Sequence, residues 1–98
     1  MAVAIIMEFK GATLAQYQEV NRKMGLSPGG PGPAGSISHW AAETDGKLLI
    51  TDVWESREKY DKFAQEKIGP LSMEAGFPAP PTTTYYEVAN FFTPNTGA

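Results

Sequence analysis

Asp45-Gly46 falls between two runs of strand-forming residues, Ser36 to Glu43 and Leu48 to Glu55. A two-residue Asp-Gly link suits a turn with left-handed φ at both central positions. Its twist matches that of the strands it joins. The dipeptide therefore predicts an antiparallel hairpin in the middle of the chain, and the flanking segments must be arranged around it.

Val3 to Phe9 is short, apolar and rich in branched residues, so it reads as a strand. Both its odd positions (Val3, Ile5, Met7, Phe9) and most of its even ones (Ala4, Ile6) are apolar, which suggests cover on both faces. Thr13 to Met24 reads as a helix, with Thr13 as its N-cap and Gly25 placed for a left-handed C-cap. After the hairpin, Ser56 caps a second helix whose apolar stripe is Tyr60, Phe63, Ala64 and Ile68. Gly69-Pro70 is expected to break it, with a short turn from Pro70 to Ala75. Thr82 to Phe92 is β-branched and aromatic and forms the last strand; residues 93–98 are expected to be a flexible tail.

The order strand, helix, strand, strand, helix, strand is the split βαβ, or ferredoxin-like, unit: an α+β fold with an antiparallel sheet, one domain over residues 1–92. Its helices cover one sheet face. The last strand carries Tyr85, Ala89 and Phe91 on one side and Tyr86, Val88 and Phe92 on the other. An apolar sheet face with no helix over it marks an interface, so a homodimer is expected.

Composition narrows the partners. Eight Lys and Arg, dispersed among eleven Asp and Glu at net charge −3, offer no basic patch for nucleic acid or an anionic membrane. No apolar run spans a bilayer, and no signal-peptide pattern is present. Cysteine is absent, which removes disulfides, thiolate metal sites and a cysteine nucleophile, and fits a cytoplasmic protein. The single histidine, His39, rules out a multi-histidine metal site within one chain. Five of ten glycines and three of eight prolines fall in Gly25 to Gly35. That stretch lacks a phosphate-loop lysine and reads as a connector, or as a lid over a pocket.

Hairpin register decides whether a site exists. With a two-residue turn, His39 faces Asp52, Ala41 faces Ile50, Glu43 faces Leu48 and Ile37 faces Trp54, all on one face; Trp40 and Thr51 lie on the other. A carboxylate beside an imidazole orients the ring and stabilises a proton on it, as a general base requires. A bulged turn would slide the register by one and set His39 against Thr51. His39 also has a plain reading, as a histidine hydrogen-bonded in the sheet. The aromatics Trp40, Trp54, Tyr17, Tyr60 and Phe63 either fill the core or line a pocket for a flat ligand. Ser36 and Ser38 lie near His39 without a nucleophile-elbow pattern.

His39-Trp40-Ala41-Ala42, Asp45-Gly46 and Asp52-Val53-Trp54-Glu55-Ser56 leading into Phe63 together resemble the dimeric α/β-barrel superfamily. Within it they resemble the small antibiotic-biosynthesis-monooxygenase-like proteins. The resemblance implies two sheets packed face to face in a dimeric barrel. It also implies a broad set of activities: cofactor-free oxygenation of aromatic, quinol-like substrates, polyketide cyclisation, or isomerisation of small molecules. For a haem-degrading relative His39 would have to be the axial ligand, a poor role for an imidazole paired to Asp52, so no cofactor or metal is expected. On this reading His39 is the base, Asp52 orients it, and Trp54, Trp40, Tyr17, Tyr60 and Phe63 hold a small aromatic or polyketide-like substrate. A non-catalytic small-molecule-binding protein, or a structural dimer, remains the alternative.

Overall fold

In the computed structural model, which describes residues 1–92, the chain runs β1 (Val3–Lys10), α1 (Leu14–Met24), β2 (Ser36–Thr44), β3 (Lys47–Trp54), α2 (Arg57–Phe63), a π-helical turn (Ala64–Ile68), α3 (Gly69–Glu74) and β4 (Thr82–Glu87). The expected tail, residues 93–98, lies outside the described residues. The four strands form one antiparallel sheet in the order β2-β3-β1-β4. This is the ferredoxin-like arrangement, with the first and third strands at the centre.

Local chemistry accounts for the element ends. Thr13 and Gln16 make a reciprocal capping box at the start of α1, and Gly25 ends it at φ 77°. Asp45 and Gly46 both have positive φ, 48° and 73°, so the hairpin turn is the two-residue form. His39 accordingly pairs with Asp52, and Ala41 with Ile50.

The register does not run unbroken to the end of β2. A bulge between Ser36 and Ser38 sets Ser36, not Ile37, opposite Trp54. A bulge puts two residues against one and turns the side chains beyond it, and here it lies at the end of the strand next to the long Gly25–Gly35 connector.

Two further expectations change. Gly69-Pro70 does not break the second helix. The chain widens into a π turn in which the Gly69 N–H donates to the Ala64 carbonyl, and the helix continues as α3. Proline cannot bond back to the fourth residue before it, and its ring crowds that carbonyl; the wider turn takes up both. The last strand stops at Glu87 rather than Phe92. Glu87 pairs with Val3, the first residue of β1, and after one more bond, from the Val88 N–H to the Ala2 carbonyl, β1 offers no further partner.

The core lies between the sheet and the helices. Val3, Ile5, Met7 and Phe9 of β1, and Leu48, Ile50 and Trp54 of β3, point inward with Tyr60 of α2. Tyr17, Phe63, Ala64 and Ile68 pack on them from the helical side. The opposite face carries Ala4, Ile6, Leu49 and Val53, all half-buried, and the exposed Trp40 and Tyr86.

Tyr60 is 2% exposed, and its hydroxyl donates to Met7 Sδ at 3.0 Å. Its ring meets Trp54 and Tyr85 edge-on. Burial, reinforced by the charge of Asp52, pushes its phenol well above the ordinary value of 10.0. A group whose proton is held more tightly in the folded chain gives its full stabilisation below its unfolded pKa and loses it as pH rises through the folded one. Chemical denaturation is therefore expected to show stability falling with pH above about 10, with a shallower fall in Tyr60→Phe. Equal slopes for the two proteins would show that Tyr60 plays no part.

Candidate functional site

The inward face of the β2–β3 hairpin carries a polar chain anchored on a buried carboxylate. Asp52 is 7% exposed in the middle of an otherwise apolar face. Both of its carboxylate oxygens are occupied: His39 Nδ1–H donates to Oδ1 at 2.5 Å, and Trp54 Nε1–H donates to Oδ2 at 3.1 Å. Strand alternation and the register bring the three together, since Trp54 follows Asp52 by two residues and His39 is cross-strand from it. A carboxylate can only accept, so Nδ1 of His39 carries the proton, and Nε2 of the neutral ring is left as an acceptor.

Nε2 has a partner as well. The Tyr17 hydroxyl, from the first turn of α1, donates to it, and the two rings lie end to end and nearly coplanar, with centroids 5.9 Å apart and planes 12° apart. Burial pushes the Tyr17 phenol above its ordinary value of 10.0; Asn21 one turn on opposes this, and the Asp52 charge adds to it. The phenol is thus held neutral, as a donor to the imidazole. The continuous array is Tyr17–His39–Asp52–Trp54.

The array opens on a cavity of about 770 Å³. Met7, Phe9, Ile50 and Trp54 form the sheet side, and Phe63, Ile68 and Phe77 the side opposite. Residues 26–33 of the glycine- and proline-rich connector line a further side. Gly35 closes that connector at φ 94°, where a side chain would meet the Trp54 ring at 3.3 Å; its carbonyl accepts from the Glu55 N–H. Only glycine brings the backbone this near the indole without strain. The volume suits a ligand of several fused rings. The lining is apolar except near His39, Asp52, Tyr17, Arg22 and a few serine, asparagine and glutamine side chains.

Of the residues expected from sequence, His39, Asp52, Trp54, Tyr17 and Phe63 meet around this cavity. Tyr60 stands behind Trp54 in the core and does not line it. Trp40 lies on the other sheet face, 54% exposed, because it alternates with His39 along β2. Phe77 was not expected. It sits in the Gly76–Pro81 connector and packs edge-on against Phe9 with centroids 4.9 Å apart. Its one sequence signal is an aromatic residue isolated between a glycine and a proline. Among the described residues no cluster of three or more metal-ligating side chains occurs.

One antiparallel sheet, helices on one face and a cavity between them make this a ferredoxin-like α+β protein. The solved structures it resembles make that more specific. A protein of unknown function from Nitrosomonas europaea superposes with a TM-score of 0.71 at 13% identity, over 95% of this chain and 94% of that one. A candidate antibiotic biosynthesis monooxygenase from Chloroflexus aurantiacus gives 0.59 at 20%, over 95% and 98%. A monooxygenase from the ActVA-Orf6 gene of Streptomyces coelicolor, solved with the ligand nanaomycin D, gives 0.56 at 23%, over 95% and 91%. No family model and no curated protein sequence matches the chain. The chain has the ferredoxin-like fold of these antibiotic-biosynthesis-monooxygenase neighbours. At these identities the likeness establishes the fold alone.

Proposed function

We propose that the chain is a cofactor-independent enzyme, an oxygenase or a cyclase/isomerase, acting on a small aromatic or polyketide-like substrate, with His39 as its base. The observation that carries this reading is His39 paired to the buried Asp52 and set against a mostly apolar cavity of about 770 Å³. Asp52 fixes the imidazole tautomer and stabilises the imidazolium formed when a substrate hydroxyl gives up its proton. The apolar walls hold a flat ring system and keep water from the resulting anion. An electron-rich aromatic anion can react with oxygen without a cofactor, and the same anion starts an aldol closure. The nanaomycin D complex of the Streptomyces neighbour supports a small-molecule ligand for this fold.

The test uses 1,4-dihydroxynaphthalene as the oxygenase probe and 2-naphthol as a non-reacting ligand. Saturable 2-naphthol binding, with protein-dependent oxygen uptake on the dihydroxynaphthalene, is the expected result. Binding without oxygen uptake or any isomerised or cyclised product, across phenols, quinols and lactones, would turn the assignment to a small-molecule-binding protein.

The same proposal includes a homodimer, placed in the cytoplasm in keeping with the lack of cysteine. Trp40 and Tyr86, 54% and 57% exposed, stand on the sheet face that no helix covers. A second copy packing its own sheet there buries both. Light scattering is expected to give the dimer mass for the wild type at micromolar concentration and about half that for Trp40→Glu. A wild-type monomer would overturn the dimer.

A further inference from the structure

Nothing in a base assignment for His39 explains why its acceptor nitrogen is already occupied. With Nδ1–H committed to Asp52, the imidazole has a single lone pair, at Nε2, and the Tyr17 hydroxyl donates into it. A substrate in the cavity therefore meets the phenol before it meets the ring nitrogen. The phenol oxygen retains acceptor capacity while its proton points at Nε2, and Tyr17 lines the cavity beside His39. We propose that Tyr17 is the residue that exchanges the proton with the substrate, with His39 and Asp52 behind it as a relay.

This rests on the functional reading above and sharpens it. The substrate hydroxyl gives its proton to Tyr17 Oη as the proton already on Oη passes to His39 Nε2. The substrate O–H bond and the old Oη–H bond break; a new Oη–H bond and an Nε2–H bond form. The products are a substrate anion, a neutral tyrosine and an imidazolium paired with the Asp52 carboxylate. Charge is conserved and no electrons change hands. The neutral Tyr17 hydroxyl is left beside the new anion, free to turn its proton toward it, and in reverse the relay returns a proton to product. The arrangement has the logic of a catalytic triad, in which an oriented imidazole activates a hydroxyl at its outer nitrogen, but here the hydroxyl moves a proton instead of attacking. The placement of Tyr17 on the first turn of a capped helix holds the phenol in register with Nε2, and the near-coplanar rings aim its hydroxyl along the Nε2 lone pair.

The experiment measures the ionisation of bound 2-naphthol by its absorption, at saturation, in wild type, Tyr17→Phe and His39→Gln. The chain has one histidine, so its imidazole NMR signals report the His39–Asp52 pair directly in each protein. Wild type is expected to shift the bound naphthol toward its anion. Tyr17→Phe is expected to lose that shift by about tenfold or more while the Nδ1–H signal persists. If Tyr17→Phe ionises naphthol as well as wild type, or better, the phenol is a cap that moves aside and the relay is overturned, with His39 still the base. If Tyr17→Phe lowers affinity alone, with the full shift at saturation, Tyr17 only binds and the relay is again overturned. If wild type produces no shift, or His39→Gln produces all of it, the base assignment itself fails and the relay falls with it.

Discussion

His39→Ala is expected to lower turnover of an active phenolic or quinol substrate by about 10²–10⁴-fold, the usual worth of a positioned general acid–base group, and to leave the fold intact. The side chain is 39% exposed and its hydrogen bonds run to Asp52 and Tyr17, so its removal opens space next to the cavity rather than a hole in the core. It does strand Asp52 Oδ1 in a buried position. An unpaired buried acceptor costs about 1–3 kcal/mol, which a folded domain with a typical stability of about 5–15 kcal/mol survives. His39→Gln restores a donor without a base and separates the two effects: stability recovers and turnover does not. Activity within about threefold of wild type in both variants would remove His39 from the chemistry. Loss of the dimer or of the fold in both would make it a structural histidine.

The hairpin is the part of this molecule most legible from sequence. Asp45-Gly46 admits positive φ at both positions, and that alone sets His39 across from Asp52. Two residues of a site thus follow from a turn that neither belongs to. Thr13, Gly25 and Ser56 mark helix ends by hydrogen-bonding chemistry that needs no tertiary partner. What was not legible depends on neighbours far along the chain. The end of β4 is set by where β1 begins, 84 residues before Glu87, although Val88 to Phe92 retain strand-like side chains. The π turn before Pro70 depends on Ala64 and Ile68 packing on the core and on α3 packing against α1, which outweighs a local breaker. The bulge at Ile37 shows no distinctive residue type. Strand alternation alone puts Trp40 on the bare face, whereas the meeting of Tyr17 with His39 depends on where α1 lies over the sheet.

Trp54→Ala is expected to carry the largest stability cost of any single substitution in the chain, about 3–5 kcal/mol. The indole is 1% exposed and heads the fully buried side chains by size. It joins the two halves of the molecule that matter: its ring packs on Tyr60 at 5.6 Å and Phe63 at 5.1 Å between centroids, its edge receives the backbone of Gly35, and its N–H closes the Asp52 carboxylate. Removal therefore adds a void to the cavity already beside it and unpairs a buried acceptor at once. For a domain of this size such a loss lowers the melting temperature by more than about 10 °C. Trp54→Phe divides the cost. It keeps part of the apolar volume and removes the N–H, so about 1–3 kcal/mol is expected from the unpaired carboxylate on top of a void smaller than that of Trp54→Ala, and the His39–Asp52 signal should broaden or shift as that oxygen seeks another donor. Denaturation of both variants at one fixed protomer concentration keeps dimer formation from entering the comparison. A cost below about 1.5 kcal/mol for Trp54→Ala would mean that the neighbouring cavity takes up the space freely, making the indole a movable wall of the ligand site rather than the link between site and core.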